Sequence, residues 1–297
     1  MTASPLQSRL THATPFVFVL IWSTGFIVAR YGMPHAPPFK FLALRYALSI
    51  VCFVMWIWFT RVRWPQGTRQ WLHLAVTGVL IHAIYLGGVW AAVKAGMGSG
   101  LSALIVGLQP VLTAVWVSAT GAHVSKRQWL GLSCGLSGLL LVVSRKFGNG
   151  GSGDHVDLTS LSFAVAALLA ITAGTLYQKK FVSPCDVRTA NVVQLSAALL
   201  VTLPLALLEI ESMNWTGELA GAMAWSVLAL TVGASSLLYL LIQGGAATAV
   251  TSLFYMVPPS AALMAWLLFS EPITFTTLLG TALTAFGVSL VVRVAKQ

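Results

Sequence analysis

The 297 residues are 57% hydrophobic and only 8% charged, with a mean hydropathy of +0.85. A water-soluble fold is excluded, because a soluble domain of this size carries about a quarter of its residues as charges; lipid has to be the missing solvent. Seventeen Lys and Arg against seven Asp and Glu leave a net charge of +10, but the cations fall between apolar runs instead of clustering, which argues against a nucleic-acid partner and marks them as topology signals.

A hydrocarbon core about 30 Å thick takes about 20 residues of helix. Ten apolar windows of that kind follow one another: Thr14 to Arg30, Phe39 to Phe59, Trp71 to Val93, Ser99 to Ala119, Arg127 to Ser144, Leu158 to Gln178, Thr189 to Leu208, Gly221 to Gln243, Thr248 to Phe269 and Thr274 to Val292. The first run, Pro15 to Ala29, lacks a small-residue cleavage site, so it is expected to stay as the first helix. One connection, Arg145 to Asp157 with its Gly-Asn-Gly-Gly-Ser-Gly run, is long and flexible and divides the windows five and five.

Sliding the chain against itself by 149 positions pairs Leu20 with Leu169, Gly25 with Gly174, Pro110 with Pro259, Gly131 with Gly280, Gly138 with Gly287 and Leu141-Val142-Val143 with Leu290-Val291-Val292. An odd number of spans per copy makes the second copy enter the bilayer from the opposite side. The expected fold is therefore an all-α membrane protein, ten transmembrane helices forming an inverted five-plus-five repeat around a central cavity. Residues 1–148 make the first repeat, 149–157 a Gly-rich connector and 158–297 the second.

Orientation follows from counting Lys and Arg on alternate sides of the spans. With the N-terminus inside, the cytoplasmic set is Arg9, Arg61, Arg63, Arg69, Lys126, Arg127, Lys179, Lys180, Arg188, Arg293 and Lys296, against Arg30, Lys40, Arg45, Lys94, Arg145 and Lys146 opposite. Asp154, Asp157, Glu209, Glu211 and Glu218 also fall on the opposite side. Both termini are expected in the cytoplasm of a bacterial cell bounded by this inner membrane.

Polar residues inside spans are costly in hydrocarbon and therefore face a cavity or another helix. Stripes at helical spacing occur in the fourth span (Ser99, Ser102, Gln109, Thr113), the eighth (Ser235 or Ser236, Tyr239, Gln243) and the ninth (Thr248, Ser252, Tyr255). Trp22 and Ser23 in the first span, His82, Tyr85 and Trp90 in the third, Tyr177 and Gln178 in the sixth, and Asn191 and Gln194 in the seventh join them. The substrate-binding set expected from this is Trp22, Ser23, His82, Tyr85, Trp90, Ser102, Gln109, Tyr177, Gln178, Asn191, Tyr239, Gln243 and Tyr255. Aromatic rings interleaved with amides and hydroxyls suit a small amphipathic solute such as an amino-acid zwitterion or a neutral metabolite. Single Ser and Thr residues near helix ends more often bond their own backbone, and a lone His more often stays a neutral hydrogen-bonding group than a proton switch. Trp56, Trp58, Trp64 and Trp71 at window ends read as interfacial anchors.

Arg45 lies some residues inside the second span, where an Arg costs about 2.5 to 3.5 kcal/mol on insertion scales. It is expected either to snorkel to the interface or to line the outer mouth and attract a carboxylate. Lys94 reads as an anchor at a helix end. Pro110 and Pro259 are equivalent, with Pro258 beside the latter; each removes a backbone hydrogen bond and bends its helix, which suits gates or a fixed cavity shape. No Asp or Glu lies deep in any span, so facilitated diffusion or exchange is expected rather than a carboxylate proton relay.

Gly131-Leu132-Ser133-Cys134-Gly135 formally matches a hydrolase elbow, and Gly135-Leu136-Ser137-Gly138 an intramembrane serine protease signature. A nucleophile elbow needs a strand-to-helix turn, whereas these residues sit in mid-span, where small residues let helices approach closely. No catalytic residue, metal site or cofactor is expected. Cys52, Cys134 and Cys185 are too few and scattered for a disulfide framework and read as small apolar fillers.

Ser270-Glu271-Pro272-Ile273-Thr274, followed by Leu279-Gly280 and Phe286-Gly287-Val288, together with Pro38-Phe39 to Arg45 and Trp22-Ser23-Thr24-Gly25-Phe26, resembles the drug/metabolite transporter superfamily, specifically its ten-helix EamA-type exporters, over nearly the whole chain. The resemblance implies spans one to four and six to nine around the cavity with five and ten outside. The first copy has Ala122-His123 where the second has Glu271-Pro272, so Glu271 reads as a structural cap beside a helix start. The aromatic-lined reading looks most like the bacterial amino-acid exporters, including those for aromatic amino acids. The function this implies is export of small metabolites, foremost amino acids, by alternating access, with a multidrug or quaternary-ammonium pump and an intramembrane serine hydrolase as alternatives. The expected partners are a small-molecule solute and the lipid bilayer; the oligomeric state stays open, with a monomer sufficient for the cavity.

Overall fold

The computed structural model describes residues 5–119, 126–146, 156–237, 239, 256–271 and 274–294, which form helices and their connections with no β-strand. The first repeat contributes Pro5–Gly32, Pro38–Thr60, Thr68–Lys94, the pair Ser99–Val106 and Gln109–Ala119, and Lys126–Lys146. The second contributes Leu158–Phe181, Val187–Leu208, Gly217–Ser235, Val257–Phe269 and Phe275–Val294. Among the described residues five helices, the second, third, sixth, seventh and eighth spans, are long and apolar enough to cross a bilayer, and the others are shorter apolar stretches. Trp58, Phe59, Leu200 and Leu207 stand exposed on the outside, as side chains do where lipid replaces water. Trp56, Trp64 and Trp71 also face outward, in keeping with interfacial anchoring. The connector 149–157 lies outside the described residues except for Val156 and Asp157.

The fifth and tenth spans show how the repeats are related. A Cβ on Gly138 would stand 2.5 Å from the Gly280 carbonyl oxygen, and one on Gly287 would overlap the Gly131 carbonyl. Between these contacts Thr284 Oγ1 donates to the Gly135 carbonyl at 3.3 Å, and the two residues are 149 apart. The numbering rises along one helix as it falls along the other, so equivalent helices cross antiparallel at equivalent residues. A two-fold axis running through that crossing, in the plane of the bilayer, generates an inverted repeat and no other arrangement. The glycines of the hydrolase-like motifs are thus the floor of a helix crossing, and Ser133 spends its hydroxyl on the Trp129 carbonyl at 3.0 Å.

Two features depart from uninterrupted spans. The fourth breaks at Gly107 and Leu108 because Pro110 has no N–H to give the Val106 carbonyl, and Leu108 N–H falls back on Ile105 at 3.1 Å. Pro258 and Pro259 occupy the first turn of Val257–Phe269, as Pro110 does in Gln109–Ala119, where a missing N–H costs nothing; the part of the ninth span before residue 256 lies outside the described residues. A Cβ on Gly107 would come within 2.5 Å of Pro258 Cγ, so the two proline breaks abut across the repeats. The third and eighth spans are wound as π-helix over Val79–Leu86 and Ser226–Ser235, equivalent stretches that the apolar windows did not betray.

At the end of the bundle where the second span begins, all four glutamates of the chain hold the first repeat. Glu209 takes the backbone N–H groups of Phe39 and Lys40 at 3.0 and 2.8 Å, satisfying the open start of that helix. Glu211 pairs with Lys94 at 2.7 Å, and its carbonyl accepts from Lys40 Nζ. Glu218 meets His35 at 2.9 Å. Glu271 takes the Ser99 N–H and hydroxyl at 3.3 and 3.0 Å, so it caps the fourth span across the repeat interface and not a helix of its own repeat. Lys94, expected as a simple anchor, also donates to the Met33 carbonyl at 3.0 Å. At the opposite end the cross-repeat bonds are neutral: Gln70 bonds Ser183, and His73 bonds the Tyr177 hydroxyl at 2.8 Å. Asp186 there pairs within its own repeat with Arg188.

Candidate functional site

Two cavities lie side by side at the repeat interface. The larger has an empty volume of about 480 Å³, open space at its mouth included, and is walled by Trp22, Phe26, Arg45, Tyr85, Trp90 and Leu230 among others. The smaller, about 310 Å³, carries Gln178, Asn191, Gln194 and Tyr239, and both share Trp22, Ile81, His82 and Ser235. The π-helical turns carry His82 and Tyr85 from one repeat and Ser235 from the other into the walls, consistent with the frequent use of such turns at functional sites.

Arg45 neither snorkels nor stands at a mouth; it is 4% exposed and forms part of the larger cavity's wall. Seven residues into a helix, it lies about 10 Å from that helix's start, too deep for its side chain to be drawn out past the packed Tyr46 and Trp90. Its Nε donates to Thr231 Oγ1 at 3.0 Å, and its guanidinium carbon sits 6.0 Å from the Trp90 ring centre. His82 stands at the other repeat's equivalent of the Thr231 position, Gln194 stands at the equivalent of Arg45, and both line the smaller cavity. The pseudo-two-fold therefore sets a neutral Gln194–His82 pair opposite the hydrogen-bonded Arg45–Thr231 pair. Gly78 lies directly against the Gln194 backbone, where any Cβ would overlap it.

Of the residues expected to bind substrate, Trp22, His82, Tyr85, Trp90, Gln178, Asn191 and Tyr239 line one or both cavities. Tyr46 donates to the His82 carbonyl at 2.6 Å, Asn191 donates to the Val187 carbonyl, and the Tyr239 hydroxyl lies 2.9 Å from Cys185 Sγ. Four others stand elsewhere. Ser23 bonds the Val19 carbonyl of its own helix, Ser102 is buried outside both walls, Gln109 bonds Thr175 at 3.0 Å, and Tyr177 bonds His73. Gln243 and Tyr255 lie outside the described residues, as do Thr248 and Ser252. Thr231 was missed altogether; the repeat offset applied to His82 would have found it. No described residue of the fifth or tenth span lines either cavity.

Comparison with known proteins fits this architecture. The chain is 25% identical over 281 residues, 93% of its own length and 88% of the relative's, to "Uncharacterized inner membrane transporter YedA" of Escherichia coli (strain K12). A match to "Probable amino-acid metabolite efflux pump" of the same organism is 24% identical over 60% of this chain and 56% of the pump. "Uncharacterized transporter YvbV" of Bacillus subtilis (strain 168) is 22% identical over 92% of this chain and 88% of that one. A solved crystal structure, described only as that of a protein, shares the fold with a TM-score of 0.66 at 16% identity, over 95% of this chain and 96% of that one. The EamA-like transporter family matches twice, over residues 13–144 and again over 158–293. A bundle of inverted repeats around a cavity, matched in both halves by that family, is a multi-pass membrane transporter, and the chain belongs to the EamA-like transporter family.

Proposed function

We propose that the protein exports small amphipathic metabolites, foremost amino acids including aromatic ones, by alternating access between units 1–148 and 158–297 across an inner membrane. The observation that carries this reading is the pair of adjoining cavities walled by both repeats, in which Trp22, Tyr85 and Trp90 stand beside Arg45, His82 and Gln194. Apolar faces hold a side chain there, while the few polar groups fix its orientation. The similarity to the "Probable amino-acid metabolite efflux pump" of Escherichia coli supports the substrate class and direction.

The positive-inside count puts both termini in the cytoplasm, so the end held by the four glutamates faces outward. No described Asp or Glu lines either cavity, which favours facilitated or exchange transport over a carboxylate proton relay. Pro110, Pro258 and Pro259 are the proposed joints about which the fourth and ninth spans adjust, and the approach of Pro258 to Gly107 supports this. The test is counterflow in proteoliposomes against amino acids, sugars, nucleobases and organic cations. Accelerated uptake with an amino acid alone supports the reading, whereas response only to sugars, nucleobases or cations overturns the substrate class. Fixed-stoichiometry proton uptake with substrate would overturn the facilitative mechanism.

A further inference from the structure

The groups left without partners around the cavities share one character. Among the described residues Arg45 Nη1 and Gln194 Nε2 are buried without a hydrogen-bond partner. Both are donors, they stand at equivalent positions of the two repeats, and each belongs to a residue in a cavity wall. Buried donors left unmet cost about 1–3 kcal/mol each, more for a charged group, so a ligand that supplies acceptors is held and one that supplies further donors is not.

We propose that Arg45 anchors a carboxylate of the transported solute, so that the pocket recognises an amphipathic carboxylate by its anionic end and not by an ammonium. This deepens the reading above and rests on it for the location of the pocket. Thr231 holds the guanidinium by Nε at 3.0 Å, which leaves Nη1 without a protein partner; a carboxylate supplies two acceptor oxygens matched to such a fork. Trp22, Phe26 and Leu230 in the same wall take the ligand's apolar body. In the adjoining cavity Gln194 donates to a second acceptor elsewhere on the ligand, such as a carbonyl or hydroxyl oxygen. An ammonium finds no such welcome: no described carboxylate lines either cavity, Arg45 repels it, and the Trp90 face that would attract it already carries Arg45.

Three probes with one aromatic body separate the possibilities: phenylalanine, 3-phenylpropanoate, which lacks the ammonium, and phenethylamine, which lacks the carboxylate. Binding is read by tryptophan fluorescence and thermal shift on the full-length protein in detergent. The expected result is that 3-phenylpropanoate binds at least as tightly as phenylalanine and phenethylamine at least tenfold more weakly. Arg45→Gln then weakens 3-phenylpropanoate at least tenfold without changing phenethylamine, and Arg45→Lys recovers part of the loss. Because the wild-type comparison needs no variant, a misfolded Arg45→Gln does not remove the test. Phenylalanine binding without 3-phenylpropanoate overturns the anchor and leaves amino-acid transport standing. The reverse overturns the amino-acid reading and supports the anchor. Phenethylamine binding as tightly as 3-phenylpropanoate overturns the anchor, and binding of none of the three overturns both.

Discussion

Arg45 and Gln194 occupy the same place in the two repeats; Arg45 reaches across the interface to Thr231 at 3.0 Å, while Gln194 shares the smaller cavity's wall with His82, the residue equivalent to Thr231. The protein has kept a polar side chain at both positions and the charge at one. A pocket at a symmetric interface thereby gains a distinct end, which a solute with one charged terminus requires.

Thr231 is the single hydrogen-bonding side chain on the Arg45 guanidinium among the described residues. Thr231→Val keeps the shape and removes the acceptor, and a bond to a charged group is worth about 1.5–3 kcal/mol. Thermal unfolding in detergent is expected to show a lowered Tm for Thr231→Val and a Tm near wild type for Thr231→Ser. Equal Tm values for the two variants would show that the hydroxyl does not hold Arg45.

The fifth and tenth spans meet backbone to backbone at glycines. Gly287→Ala forces a methyl group into the Gly131 carbonyl, and such overpacking costs about 1–3 kcal/mol. Ser133→Ala, one turn of the same crossing but with its hydroxyl turned to its own helix, stays within about 0.5 kcal/mol of wild type and keeps full transport. Loss of activity in Ser133→Ala with the fold intact would revive the hydrolase reading.

Ten spans, their five-and-five division and the glycine crossing could all be read in advance, because each depends on composition or on a repeat visible along one strand of text. The partners of the polar residues could not. Gln109 and Tyr177 lie on helix faces as polar as those of Gln178 and Asn191, yet the first pair satisfies its neighbours Thr175 and His73 while the second faces the cavity. Spacing gives the face of a helix but not which helix packs there. Arg45 was placed too near the surface for a related reason: insertion scales price an isolated Arg in lipid, whereas here Thr231 and Trp90, both distant in sequence, receive it.

Glu271 and Glu209 cap helices of the repeat to which they do not belong. Removing a cap costs about 0.5–2 kcal/mol. Glu209→Gln and Glu271→Gln are each expected to lower Tm, and the double variant to lower it by the sum, since they hold different helices. A double variant no worse than either single one would mean that the two caps act as one unit.

Asp186, outside the seventh span, accepts hydrogen bonds from the Arg188 side chain, which hold its carboxyl below the ordinary value of 3.8 despite some opposing desolvation. A depressed folded-state value means that the contribution to stability is complete above the unfolded value and disappears as pH falls through the folded one. The Tm difference between wild type and Asp186→Asn is therefore expected to be constant near neutrality and to shrink below about pH 4. A difference that persists unchanged at pH 3 would remove the pair as its origin.

Sidedness is open to direct chemistry. In a background without Cys52, Cys134 and Cys185, a cysteine at Ser212 is expected to react with a membrane-impermeant maleimide on intact cells, and one at Gln66 only after permeabilisation. Both positions are exposed. The reverse pattern would invert the topology.

The four glutamates also bear on where the unloaded carrier waits. Two upside-down copies would by themselves make the inward- and outward-facing forms close to equal in free energy, so an empty molecule would dwell in each about half the time. Here one rim is cross-linked by Glu209, Glu211, Glu218 and Glu271, and the described residues of the other rim show no carboxylate spanning the repeats. Parting the first rim breaks those carboxylate contacts, whereas parting the second breaks the neutral bonds of Gln70 with Ser183 and of His73 with Tyr177, so on the orientation and transport proposed above the empty carrier is expected to favour the form with its carboxylate rim shut. That bias creates no gradient and drives no net flux. It would set which compartment loads the carrier first, and under the proposed export that is the side where the cargo is made.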